Sequence, residues 1–188
     1  MAMTVTKRKD SRLPRVFIHK VADIRGGVSV AVSELNVDFL AEGRVISAPV
    51  DGICHAVKYA KVHTAAAAAA TAIKVLKGHD FKVGDIVFAA KGGAAYAITA
   101  IDASNSAYDE IIVGTTLGAV AKDAYIFQGA GSGAEAGAFK YAPFAVVGTG
   151  KPVIAGSNLD TDAWVIGVTR GNEVPALVAA ELPCIINY

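Results

Sequence analysis

The chain is short of charge. Only 19% of its 188 residues are Asp, Glu, Lys or Arg, against about 25% in an average soluble domain. The 18 basic and 17 acidic side chains nearly cancel, leaving a formal charge of +1. That balance excludes the broad basic field of a nucleic-acid-binding domain and supplies no acidic tail. Cysteine is almost missing. Cys54 and Cys184 are the only two, and their separation fits no metal or redox spacing. A chain of this length buries roughly 70% of its unfolded surface, so it needs no disulfide scaffold. Both thiols have apolar neighbours and are expected to be buried and reduced. No uninterrupted apolar run reaches the ~18 residues of a spanning helix. The early cluster Val16-Phe17-Ile18 is cut short by His19, Lys20, Asp23 and Arg25, unlike the apolar stretch of a secretory signal.

What is abundant is apolar. Hydrophobic residues make up 53% and glycine adds 19 positions; mean hydropathy is +0.43. A weakly charged, apolar surface favours burial against partners, so an oligomer or an assembly component is expected. The charge that exists is uneven. Lys7, Arg8, Lys9, Arg12 and Arg15 crowd the start of the chain, opposed there by Asp10 alone. Such a cluster is either a solvated tail or an arm that docks on an acidic surface.

The local pattern is strand and turn. In 72–88, Ile73 and Val75, then Phe81 and Val83, then Ile86-Val87-Phe88 read as three short strands. Lys77-Gly78-His79-Asp80 and Gly84-Asp85 are the corners between them. Gly provides positive φ and Asp bonds its own backbone at such corners. Asp51-Gly52 is a strong hairpin signal. It joins the extended 44–50 to a strand over 53–62, with Cys54, Ala56, Lys58, Ala60 and Val62 on one face. Further strands are expected at 28–33, 86–90, 95–101, 108–113, 123–128, 144–147, 152–155, 163–169 and 182–188. On 108–113 the apolar side is expected to include Tyr108 with Ile111 or Ile112. Residues 34–40 read as a strand or a short helical turn. The run Ala65–Ala70 suits a helix by propensity but is too short to hold one alone, and a loop is preferred. Residues 128–140, rich in Gly, Ala and Ser, are a long flexible loop or an irregular excursion. One helix is expected at 174–181, with Pro175 in its first turn. Dense short strands of this kind build all-β folds. The expected fold is therefore mainly β, a short-stranded barrel or sandwich. Residues 1–35 form an N-terminal arm, partly extended or flexible, and 36–188 the β-rich domain with one short C-terminal helix. A weak internal echo links Leu40-Ala-Glu-Gly-Arg-Val-Ile to Val147-Gly-Thr-Gly-Lys-Pro-Val-Ile.

No motif carries chemistry. Gly129-Ala-Gly-Ser-Gly-Ala lacks the strand, helix and glycine offset of a dinucleotide loop, leading instead to Phe139-Lys140-Tyr141 and Pro143. Ser132 lacks the context of a nucleophile elbow. His19, His55, His63 and His79 show no ligand spacing and read as surface histidines. Asp80, Asp85, Asp102 and Asp109 read as turn formers, since a calcium loop needs denser oxygen ligands. Trp164 reads as a core anchor ahead of a ligand-stacking platform. No catalytic residue, cofactor site or metal site is identified.

Lys77-Gly-His-Asp-Phe-Lys-Val-Gly-Asp-Ile-Val, with Ala100-Ile-Asp and Tyr108-Asp-Glu-Ile, resembles the head fibre or capsid decoration proteins of tailed bacteriophages and their prophages. Leu40-Ala-Glu-Gly-Arg-Val and the run from Asp162-Ala-Trp-Val-Ile-Gly-Val to Tyr188 are similar too. The resemblance spans roughly 16–188 and leaves out the basic start. It implies a non-enzymatic β-rich virion protein without cofactors, made in the host bacterial cytoplasm and carried on the virion surface. Its partners would be the major capsid protein and its own copies, a trimer before a dimer, with no nucleic acid or membrane. Lys7, Arg8, Lys9, Arg12 and Arg15 are then the candidate capsid-docking residues. The alternative is a carbohydrate-binding β module whose Tyr or Trp platforms meet a surface glycan.

Overall fold

The computed structural model describes residues 15–154, 156–171 and 173–188. The described chain runs β1 (Phe17–Asp23), β2 (Val28–Val30), β3 (Phe39–Leu40), β4 (Val45–Ser47), β5 (Ile53–Cys54), β6 (Tyr59–Lys61), β7 (Ala72–Leu76) and β8 (Ile86–Phe88). It continues with β9 (Ala95–Asp102), β10 (Tyr108–Val113), β11 (Tyr125–Gln128), β12 (Pro143–Val147), β13 (Lys151–Pro152), β14 (Leu159–Thr161), β15 (Ala163–Thr169), α1 (Ala176–Ala179) and β16 (Ile185–Asn187). The fold is mainly β with short strands, as its turn density dictates.

Two larger sheets are layered like a sandwich. One is antiparallel with strand order β6-β11-β8-β9-β10-β7. It curls until its edges touch at a single Val62–Val75 bridge. The ladder goes no further, so the sheet is not a closed barrel. Val62, Ile73, Val75, Phe81, Val87, Ile98, Ile111 and Ile126 fill its concave side. The other sheet has the order β1-β15-β12-β4, with β16 pairing in parallel to β15. Small sheets β14-β2-β5 and β13-β3 cover its flank. Between the two large sheets Phe88, Phe127 and Phe139 pack at 5.4–5.5 Å, mostly tilted or edge-on, against Val45, Val146, Val178 and Leu182. Burying one such aromatic side chain contributes on the order of 2–3 kcal/mol.

Local signals mostly hold. Asp51 and Gly52 take φ of 51° and 81°, and Val50 and Ile53 exchange both backbone hydrogen bonds at 2.8 and 3.0 Å, as a two-residue hairpin requires. The Ala65–Ala70 run is a loop, fastened where Ala66 and Val120 exchange hydrogen bonds. Residues 128–140 are an irregular excursion that stays on the body. Gly133 bridges Ala95, Gly129 bridges Phe139, and Gly137 is pressed so closely onto Ala90 and Gly93 that a Cβ would not fit. The two segments of the internal echo lie side by side, Leu40 opposite Lys151.

Other expectations fail for identifiable reasons. Residues 81–83 are not a strand. Phe81 drops into the core from a loop, and Lys82–Asp85 forms the turn into β8. On β10 the buried side is Asp109, Ile111 and Val113 rather than Tyr108. Cys54 is buried but Cys184 is exposed, because the turn entering β16 leaves it outside. Within 1–35, expected as a partly extended arm with a strand at 28–33, the described residues include β1 and β2, which pair with β15 and β14 respectively.

Candidate functional site

Of the candidate docking residues, Lys7, Arg8, Lys9 and Arg12 lie outside the described residues. Arg15 is described, exposed at the root of the basic segment. It lines a groove of about 590 Å³ beside β1, together with Phe17, Lys20, Glu42 and the turn 148–150. The Glu42 Oε1 atom accepts the backbone N–H groups of Val16 and Phe17 at 3.2 and 3.0 Å. A charged acceptor on two successive N–H groups makes strong bonds, and this pair fixes the direction in which the chain enters β1.

The groove wall is a cation on aromatics. The Lys20 ammonium lies 5.2 Å from the Phe17 ring centre and 5.0 Å from that of Trp164. It donates to the Gly148 carbonyl at 3.0 Å and pairs with Asp162 at 3.6 Å. Trp164 donates its indole N–H to Asp162 at 2.8 Å. Burial pushes the Asp162 pKa up, but hydrogen bonds from Thr149 and Trp164 and the Lys20 charge outweigh it and leave it below the ordinary carboxylate value. Gly148 must be glycine, since a Cβ there would collide with Asp162 and Trp164. Trp164 is thus half-buried and hydrogen-bonded, a wall rather than the core anchor read from the sequence. Nothing around this groove is a nucleophile poised against a base. It can hold a polar chain and screen charge.

Elsewhere, polar clusters replace the expected surface histidines and turn aspartates. His79 is buried. Its Nδ1 accepts the Phe81 N–H at 3.2 Å, and its Nε2 faces Asp109 at 3.3 Å. Asp109 also takes Lys77 at 2.6 Å. Burial lowers the His79 pKa below 6.5 in spite of the Asp109 and Asp80 charges. Asp80 is buried, bonded to the Arg44 guanidinium and to the Asn36 N–H. Asp85 does close its turn, accepting the Lys82 N–H at 3.0 Å. It also receives the buried Lys58 ammonium and the Gln128 amide, each at 2.9 Å. Of the four only Asp102 remains a plain turn former, bonded to the Ser104 N–H. His55 stacks on Tyr141 at 4.0 Å and 6°, while Glu34 holds His55 at 3.0 Å and Tyr141 at 2.9 Å. Sequence reasoning missed the side-chain partners because each such pair is more than 20 residues apart. Lys58 was the one legible signal, a lysine placed on the apolar face of its strand.

Comparison with family models, curated proteins and solved structures finds no match. Among the described residues no group of His, Cys, Asp or Glu could hold a metal ion, and no helix is long and apolar enough to cross a membrane.

Proposed function

We propose that this chain is a non-enzymatic virion structural protein, a head fibre or capsid decoration protein that attaches to the outer surface of a tailed-phage capsid. The observation that carries the reading is the root of the basic segment. Glu42 grips the backbone at residues 16 and 17, so the chain enters β1 from one fixed point, beside the groove lined by Arg15. In this reading the basic residues of the sequence before that point meet an acidic lattice surface while the β body keeps its fold. The sequence resemblance supplies the capsid as partner and the host cytoplasm as place of synthesis. The carbohydrate-binding alternative draws on the same groove. Against it, Lys20 lies over the Trp164 ring where a sugar would stack.

The test is co-sedimentation with capsid particles of the encoding phage or prophage across a salt series. Attachment is expected to weaken with salt, because exposed charges are screened beyond about 10 Å at 0.1 M. Replacing Lys7, Arg8, Lys9, Arg12 and Arg15 with Ser should release the protein while its thermal melt stays unchanged. Salt-independent attachment, or equal attachment by the variant, would sink the electrostatic arm.

A further inference from the structure

Three polar side chains meet on the curled sheet, one from each of three neighbouring strands. Lys58 precedes β6, Gln128 ends β11 and Asp85 precedes β8, and these strands lie in the order β6-β11-β8. The Asp85 carboxylate sits between the other two groups. Its Oδ2 atom takes the Lys58 ammonium at 2.9 Å, and its Oδ1 atom takes the Gln128 amide N–H at 2.9 Å. Lys58 is 2% exposed and Gln128 4%.

An amine, a carboxamide and a carboxylate bonded to both are the parts of an amide exchange: a nucleophile, an electrophile and a proton carrier. Register brings the first two within reach of each other. Tyr59 lies opposite Phe127, and the Gln128 N–H bonds the Lys58 carbonyl at 3.0 Å, so Lys58 and Gln128 are the next cross-strand pair. The Cβ atoms of such a pair stand about 4.5–5.5 Å apart, a gap that the two long side chains bridge with slack. Gln128 Oε1 is buried without a hydrogen-bond partner. A buried orphan of this kind marks a group kept for strain or chemistry rather than for stability.

We infer that Lys58 Nζ and Gln128 Cδ become joined in an isopeptide bond, with Asp85 as the catalytic acid and base. One proton passes from the ammonium to Asp85, and the free amine attacks Gln128 Cδ. Asp85 gives that proton to the Nε2 atom already against it. The Nζ–Cδ bond forms, the Cδ–Nε2 bond breaks and ammonia departs. A second proton, from the new amide nitrogen, passes by way of Asp85 to the ammonia. Lysine ammonium and glutamine amide thus yield a secondary amide and an ammonium ion, and Asp85 ends as a carboxylate. Its side chain is 16% exposed, which gives the ammonium ion a way out. The resting pair is ionic, so closure waits on the first proton transfer and is slow; the freshly folded chain holds the open pair. The bond ties β6, at the sheet's edge, to β11, close to the Val62–Val75 bridge where the edges meet. The inference does not rest on the capsid reading.

The intact mass of the full chain, fresh and after days at neutral pH and physiological temperature, tests it. The aged chain should be lighter by one ammonia. Trypsin should then fail to cut after Lys58 and release residues 45–61 joined to 123–140, read by tandem mass spectrometry. Protein aged in guanidinium should keep its full mass, because only the fold assembles the three groups. Lys58→Met and Asp85→Asn should also keep theirs, with circular-dichroism spectra like the parent's. Should either variant fail to fold, the joined peptide of the parent still decides. Full mass in the aged parent overturns the inference. So does the loss of one water, which puts the bond on Asp85, or an ammonia loss that survives Lys58→Met. Closure of Asp85→Asn at the parent's rate overturns the role of Asp85.

Discussion

Removing the Asp85 carboxylate should cost more than removing the ammonium it faces. Lys58 is 2% exposed and its Nζ lies 2.9 Å from Asp85 Oδ2. Asp85 keeps 16% of its side chain exposed and has two further donors, the Lys82 N–H and the Gln128 amide. Asp85→Ala therefore strands a buried ammonium and frees the Gln128 amide as well. Breaking a buried pair this way costs about 3–5 kcal/mol. Lys58→Met fills the same space with an apolar chain, and the remaining carboxylate still has two donors and access to water. Its loss is that of one charged hydrogen bond, about 1–2 kcal/mol. At about 2–4 °C per kcal/mol for a chain of this size, Asp85→Ala should melt roughly 6–20 °C early and Lys58→Met roughly 2–8 °C early. The double variant should be more stable than Asp85→Ala alone, because no charge is then left unpaired. Urea unfolding with a constant m-value gives the free energies. If Lys58→Met costs more than Asp85→Ala, or the two losses simply add, the ammonium is not held as described.

Gly84 sits at φ +94° with open space where a Cβ would point, so Gly84→Val should lose about 1–3 kcal/mol from backbone strain alone; a melt equal to the parent's would remove the strain argument. Stability should also fall in acid in two steps. The unfolded chain binds a proton at His79 near pH 6.5 while the folded chain, with its pKa lowered mainly by burial, does not, so stability is lost as pH drops below about 6.5. Burial raises the Glu34 pKa, but hydrogen bonds from His55 and Tyr141 and the His55 and Lys140 charges leave it below 4.5, so its contribution is full above that value and lost beneath it. Urea midpoints against pH should show both limbs, with His79→Gln flattening the first; a first limb unchanged in that variant would assign it elsewhere.

Sequence reasoning reached furthest where neighbours decide the outcome. The β class, the Asp51-Gly52 hairpin, the strands expected at 86–90, 95–101 and 108–113 (found at 86–88, 95–102 and 108–113) and the short helix after Pro175 were legible, because turn residues and alternating side chains act over a few positions. The alternation of Cys54, Ala56, Lys58, Ala60 and Val62 was legible too, and all five are buried. Its meaning at Lys58 was not, since the partners Asp85 and Gln128 arrive from other strands. The same holds for His79, read as a surface residue and found buried beside Asp109, and for Phe81, which enters the core from a loop because the sheet curls over it. The groove beside β1 and the apolar outer face around Ile166 and Ile186 exist only because β15 collects β1 on one side and β12 and β16 on the other. Composition and local chain stiffness set what kind of structure this chain forms. Which charges meet, and which apolar surface is left uncovered, was decided by long-range pairing, whose energy depends on positions the sequence holds far apart.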